Sequence, residues 1–192
     1  MVSGMQAKSE KETRFISWNV RGLGGLLKQA QIQEMLEGTD AQIVALQETK
    51  LATEGGDEVR DFLKRRFVVH ESWVKAEARG KVVHRGGILM AVAKEMASWI
   101  RKVEERIPGY LMVVHMEEGK RKLAVINMYY PAYEPDGTKG RGALMNSVEN
   151  ALEETLREAR GGGEMVVLLT DGNGENSDTE RRLDWEEHVV NA

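Results

Sequence analysis

The first patterned stretch of the chain is a short apolar run, Phe15 to Val20 (FISWNV), followed by Arg21-Gly22-Leu23-Gly24-Gly25. It reads as a strand running into a glycine-rich turn. Within Lys28 to Glu37, Ile32, Met35 and Leu36 recur at helical spacing, and Gly38 closes that helix. Ala41 to Leu46 is a second buried strand, ending in Gln47-Glu48-Thr49. Val59 to Arg66 has the period of a short helix, with Val59, Leu63 and Phe62 inward. The middle of the chain is strand-rich. Phe67 to Val74 and Gly87 to Ala93 are two runs, and Tyr110 to Met116 with Leu123 to Tyr129 read as a hairpin joined at residues 117 to 120. Pro131 to Gly142 reads as a Pro/Gly-rich loop. Leu144, Val148, Leu152 and Leu156 at four-residue spacing predict the longest helix, Ala143 to Arg160, which Gly161-Gly162-Gly163 stops. Met165 to Leu169 is a fully apolar strand, and Thr170 to Glu175 a polar loop after it. Ser177 to Ala192 is read as helical, with Leu183, Trp185 and Val189 as its apolar contacts. Helices and strands alternate around an antiparallel middle, so the fold class is α/β (α+β), in layers with at least one mixed sheet.

Composition narrows the picture. The 192 residues suit one domain, expected over 13–192 behind a polar tail of 1–12. With 41% hydrophobic and 30% charged residues the chain is globular in character. There is no cysteine, which excludes disulfides and thiolate metal sites and fits a reducing compartment. No apolar run has the length of a membrane span, and the N-terminus lacks the apolar core of a signal peptide. An intracellular location, cytoplasmic or nuclear, is the expectation. The net charge of −4 argues against tight binding of nucleic acid by charge alone. Basic clusters at Lys64-Arg65-Arg66, Arg79 to Arg85 and Lys120-Arg121-Lys122 read singly as solvated faces, yet they suffice for transient contact.

Several of these strands end in a carboxylate, a carboxamide or a phenol. Asn19 ends the first and Glu48 follows the second. Asn127 and Tyr129 lie at the end of the Leu123 run, and Asp171 and Asn173 follow the Met165 run. Polar groups at strand ends are well placed to converge in one cleft. Hard oxygen donors, with no cysteine and four histidines, suit Mg²⁺ or Mn²⁺ rather than zinc. Taken singly, each such residue is more often a turn former than a ligand. The weight comes from four ends in succession.

The local contexts of these ends carry a resemblance. Ser17-Trp18-Asn19-Val20-Arg21-Gly22 and Leu46-Gln47-Glu48-Thr49-Lys50-Leu51 resemble the first motif and the metal-ligand motif of the endonuclease/exonuclease/phosphatase superfamily. Arg85 to Met90 is similar to the strand after that family's Gly-Gly turn. Ile126 to Pro131 is similar to the strand end whose tyrosine touches phosphate, and Leu168 to Asn173 stands where the family has Gly-Asp-Phe-Asn. The wording of the first two motifs is closest to endonuclease domains of non-LTR (LINE-type) retrotransposons and to apurinic/apyrimidinic endonucleases. The resemblance implies a layered α/β-sandwich with two central mixed sheets flanked by helices, here expected to lack its last strands. It implies Glu48 as metal ligand with Asn19 beside it, and Tyr129 as a donor to the scissile phosphate. Asp171 would position or activate the attacking water, and Asn173 would bind a phosphate oxygen. Thr170 and Gly172 replace the usual Gly and Phe, and Ala132 stands where an Asn is common.

The implied activity is a Mg²⁺-dependent phosphodiesterase, a DNA endonuclease of retrotransposon type, with a reverse transcriptase as a possible neighbour in a longer polypeptide. The family's terminal Asp-His pair has no counterpart in this sequence, so weak or no turnover is expected, and a sheet edge left uncovered without the last strands predicts lower stability or self-association. His70 and His115 lie in apolar strand runs, His84 beside the Gly-Gly turn and His188 in the tail, and none matches the missing motif. The alternatives are a phosphatase or sphingomyelinase-like hydrolase of the same fold, or a catalytically dead nucleic-acid-binding remnant.

Overall fold

The computed structural model of the protein describes residues 12–51, 57–78, 81–130 and 139–171. The expected N-terminal tail, the helix over 177–192, Asn173 and His188 lie outside them. Among the described residues, no helix is long and apolar enough to cross a membrane.

Among the described residues, eight strands form two four-stranded sheets. β1 (Phe15–Asn19), β2 (Ile43–Gln47), β3 (Phe67–Ala78) and β4 (Lys81–Ala93) make the first, in the order β1-β2-β4-β3. β5 (Ile100–Ile107), β6 (Leu111–Glu118), β7 (Arg121–Tyr129) and β8 (Met165–Asp171) make the second, in sequence order. Each sheet is antiparallel except for one parallel pair at its edge, β1 with β2 and β7 with β8. The sheets pack face to face. Helices α1 (Leu26–Glu37) and α2 (Asp57–Arg66) cover the first, and α3 (Lys139–Gly161) covers the second. The molecule is thus an α/β sandwich with two mixed sheets between helices.

The period-two alternation of strands explains the layering. On β2, Ile43 and Ala45 join the core that includes the second sheet, while Val44 and Leu46 join the core under α1 and α2. On β4, Ile88, Met90 and Val92 face the first of these cores, and Leu89 and Ala91 the second. β2 is buried at every position because both of its faces are covered. α2 contributes Val59, Phe62 and Leu63, as its period predicts, and is tied to β3 by Arg60, whose Nε lies 2.9 Å from both carboxylate oxygens of Glu71. Val148 and Leu152 of α3 are buried, with Leu144 and Leu156 packed alongside.

Four expectations need correction. Met35 is 37% exposed; Ile32 and Leu36 carry that face of α1 with Gln29. α3 begins at Lys139, so helix replaces the end of the expected loop. Thr170 and Asp171 belong to β8 rather than to a loop, because their backbones continue the ladder beside Met128 and Tyr129. β5 went unassigned: Ile100, Val103 and Ile107 have helix-like spacing, and two register shifts, at Ile100/Lys102 and Glu105/Ile107, let an irregular strand carry it.

β4 is longer than its neighbour on one side. Only Ile88 to Val92 pair with β2, whereas Lys81 to Arg85 pair solely with Val74 to Ala78 of β3. Because β4 runs antiparallel to β2, this two-stranded ribbon projects beyond the carboxyl end of β2. A register shift between Ser72 and Val74 marks its root.

Candidate active site

The carboxyl ends of β1, β2, β7 and β8 share one rim, and the register explains why. Asn19 lies opposite Gln47 in the β1–β2 pair, so both fall on the same face. Alternation along β2 puts Gln47 on the Ile43 and Ala45 face, which looks at the second sheet. There it meets Asn127, also fully buried. Gln47 Nε2 donates to Asn127 Oδ1 at 2.9 Å and to Ser17 Oγ at 3.0 Å. Asn127 Nδ2 donates to the carbonyl oxygens of Leu89 at 2.9 Å and Leu46 at 3.3 Å. One amide on β7 therefore stitches together β2 and β4 of the facing sheet. One residue beyond Gln47 is Glu48, and two beyond Asn127, on the same face, is Tyr129. The stitch brings the ends of β2 and β7 together. The β7–β8 register then sets the backbone of Asp171 beside Tyr129.

Backbone strain concentrates at this rim. The described non-glycine residues with positive φ are Arg21 (47°), Glu48 (55°) and Lys50 (48°). Left-handed conformations at non-glycine residues cost on the order of 1–3 kcal/mol each and persist only where the surroundings over-determine them. Here the surroundings are a set of backbone hydrogen bonds. Val20 N–H donates to Gln47 O (2.9 Å), Gly22 N–H to Glu48 O (2.7 Å) and Leu23 N–H to Thr49 O (2.8 Å). On the other side Thr49 N–H donates to Gly87 O (2.9 Å), and Lys50 N–H to Gly86 O (3.2 Å). Asn19 Oδ1 accepts from Arg21 N–H at 2.9 Å, which turns the chain after β1.

Gly86 and Gly87, with φ of 64° and 94°, allow a close approach no other residue would permit. A Cβ on Gly87 would stand 2.5 Å from Thr49 Oγ1 and 3.0 Å from Lys50 N; one on Gly86 would stand 2.7 Å from Gly109 O. The pair thus links the Glu48 loop to the turn before β6. That turn leads to Tyr110, whose ring stacks on Tyr129 at 5.9 Å and whose carbonyl accepts from Tyr129 N–H at 2.8 Å. Tyr129 is buried, 8% exposed, and fixed in direction by this stack. Beyond it, Tyr130 Oη donates to Glu149 of α3 at 2.7 Å.

Glu48 is 16% exposed in its side chain, and Lys50 Nζ lies 2.5 Å from its Oε1. The ammonium holds positive charge against the carboxylate that the sequence assigns to a metal. In kind, the donors fit Mg²⁺ or Mn²⁺: one carboxylate and the Asn19 amide are hard oxygen ligands, and such ions keep several waters. Among the described residues there is no group of three or more acidic or histidine side chains that could hold an ion. Of the expected site residues, Asn19, Glu48 and Tyr129 stand at strand ends that share this rim, and the backbone of Asp171 lies beside Tyr129. Its side chain, like Asn173, lies outside the described atoms.

His70 and His115 lie within strands, as expected, and each has its own surroundings away from the strand ends. His115 pairs with Glu164 at 3.0 Å, four ladder positions from the Leu111–Met128 pair that marks the rim end. His70 sits in β3 opposite Met90, and burial pulls its pKa down. A cleft at the opposite end of β1 and β2 is lined by Arg14, Asp40 and Arg66. Two of the four cations that line it are engaged, Arg14 by Asp40 and Arg66 by the carbonyls of Leu36 and Thr39. Gln47 was not assigned a role from sequence, and Asn127 was noted only as a strand-end polar group. The available signal was a lone amide in each of two otherwise apolar runs, IVALQ and LAVINMY.

No family model matches the sequence, and no curated relative matches it. Solved structures do match. TDP2 from Caenorhabditis elegans is 16% identical with a TM-score of 0.62, over 88% of this chain and 49% of that one. An AP endonuclease from Archaeoglobus fulgidus is 17% identical with a TM-score of 0.63, over 93% and 65%. The 3′ phosphatase NExo from Neisseria, bound to a product DNA hairpin, is 17% identical with a TM-score of 0.59, over 93% and 65%. The chain spans about half to two thirds of the length of these structures. At such identities the likeness is one of architecture: the chain shares the two-sheet α/β-sandwich fold of these proteins.

Proposed function

We infer that this chain is the catalytic core of a divalent-metal-dependent phosphodiesterase acting on DNA, an endonuclease. The observation that carries the reading is the stitched rim: Gln47 and Asn127 bond across the sheets at 2.9 Å, next to Glu48 and Tyr129. The printed names of the similar structures, an AP endonuclease and a 3′ phosphatase with bound DNA among them, support a phosphoester substrate. Glu48 and Asn19 would hold Mg²⁺ or Mn²⁺, which supplies charge neutralisation at the phosphate and acidifies a bound water. Tyr129, braced by Tyr110, donates a hydrogen bond to a non-bridging oxygen. Asp171, beside it on β8, orients the attacking water and takes its proton, and Asn173 donates to the phosphate. Neutral donors such as Tyr and Asn stabilise developing charge without trapping an anionic product. The motif wording SWNVRGL with LQETKL supports an endonuclease of retrotransposon type.

The test is nicking of supercoiled plasmid with Mg²⁺, against an EDTA control and the Glu48→Gln variant, with a sugar-phosphate monoester in parallel. Metal-dependent nicking that Glu48→Gln removes is the expected result. Release of phosphate from the monoester without nicking would point to a phosphatase. DNA binding with neither reaction would mark a binding remnant.

A further inference from the structure

α1 is built with its polarity partly inverted. Its buried positions are Gln29, Ile32 and Leu36, while Leu26 and Leu27 are 66% and 76% exposed, the most exposed large apolar side chains among the described residues. A helix packed on a sheet normally puts leucine inward and glutamine outward. Gln29 is drawn in because its amide holds the preceding loop: Nε2 donates to Leu23 O at 2.8 Å. Leu23 is itself fully buried and tied to Thr49 O. The loop from Arg21 to Gly25 is therefore anchored at the rim, and the two leucines stand three and four residues past that anchor. Among the described residues, neither leucine belongs to a core cluster.

Their neighbours say what they face. Arg21 is exposed in the same loop, Lys28 follows them, and Lys50, 48% exposed, runs alongside Gly22, its Cδ 3.7 Å from where a Cβ would stand. An apolar tip with Arg21 and Lys28 beside it in the chain, carried on the loop that bonds to the Glu48 carbonyl, matches a duplex, whose charged backbone flanks apolar base and sugar faces. Proteins that grip DNA insert apolar wedges of this kind while cations hold the phosphates. We propose that Leu26 and Leu27 form a wedge that packs against the bases or sugars next to the scissile phosphate and sets which step is presented to Glu48. This rests on the nucleic-acid reading of the site.

The test compares the full wild-type chain with the Leu26→Ser/Leu27→Ser double variant and with Leu27→Trp. Both positions are exposed, so the melting temperature is expected to stay unchanged, which makes the variants interpretable. Short duplexes carrying 2-aminopurine report unstacking, and fluorescence anisotropy reports affinity. The double serine variant is expected to bind about tenfold more weakly, as loss of apolar burial by two leucines requires, and to lose the 2-aminopurine signal. Leu27→Trp is expected to keep both. Wild-type binding and unstacking retained in full by the double variant would overturn the wedge while leaving the nuclease reading intact. Wild type that binds no duplex would sink both. Self-association abolished by the serines, with DNA binding unaltered, would assign the leucines to a contact between copies and overturn the wedge.

Discussion

Replacing Asn127 by leucine keeps volume and shape while deleting the amide that joins the sheets. Three hydrogen bonds disappear, two of them at 2.9 Å. Each buried bond of this kind contributes about 1 kcal/mol net, and a donor left without a partner costs roughly 1–3 kcal/mol more. Gln47 Nε2 keeps Ser17 as one acceptor, so the penalty lies mid-range. The expected loss is about 4 kcal/mol, equivalent to a fall in melting temperature of about 8–16 °C for a domain of this size. Urea titrations followed by tryptophan fluorescence give the loss directly, provided the slope with denaturant is unchanged. The decisive comparison is a cycle with Gln47→Leu. The double variant leaves no orphaned amide, so it should be more stable than the two single losses sum to, by about 1–2 kcal/mol. Single variants within about 0.5 kcal/mol of wild type, or strictly additive losses, would refute the account of the stitch.

Other outcomes follow from the same rim. Gly87→Ala places a Cβ 2.5 Å from Thr49 Oγ1 at a φ of 94° and should cost about 2–4 kcal/mol. Gly24→Ala, where a Cβ meets nothing within 4 Å, should stay within about 0.5 kcal/mol; thermal melts of both check the contrast. Glu48→Gln should weaken Mn²⁺ binding at least about tenfold by calorimetry, and Lys50→Ala should strengthen it by removing the competing ammonium. His70 titrates below its ordinary value because burial disfavours the imidazolium, and its Nε2 has no partner. The unfolded chain therefore binds a proton first. Stability from this residue is complete above about pH 6.5 and is lost as pH falls below it. His70→Leu should flatten that part of the stability–pH curve, and an unchanged slope would refute the assignment.

Most elements were legible because burial imposes a period: β2 and β8 as apolar runs, α2 and α3 as helical stripes. Where function or sheet geometry overrides the period, reading failed. Met35 was assigned inward because the core stripe of α1 runs through Gln29 instead of the leucines before it. β5 was missed because bulges disguise a strand as a helix. Of the proposed site, Asn19, Glu48 and Tyr129 were read from their places at strand ends, and the structure sets those ends on one rim. The partnership of Gln47 with Asn127 could not, since eighty positions separate them and only the packing of two sheets makes them neighbours.

The ribbon formed by Val74 to Ala78 and Lys81 to Arg85 has a mechanical consequence. At about 3.3 Å per residue its five rungs reach roughly 17 Å past the sheet, about five steps along a duplex. Val74 at its root packs on the core, but beyond it no third strand among the described residues pairs with the ribbon, and a two-stranded ribbon is marginal in water. Its amides should exchange hydrogen far sooner than those of Phe67 to Ser72, which share a sheet with β2 and β4. The irregularity after Ser72, at the root of the ribbon, is where that contrast in exchange should begin.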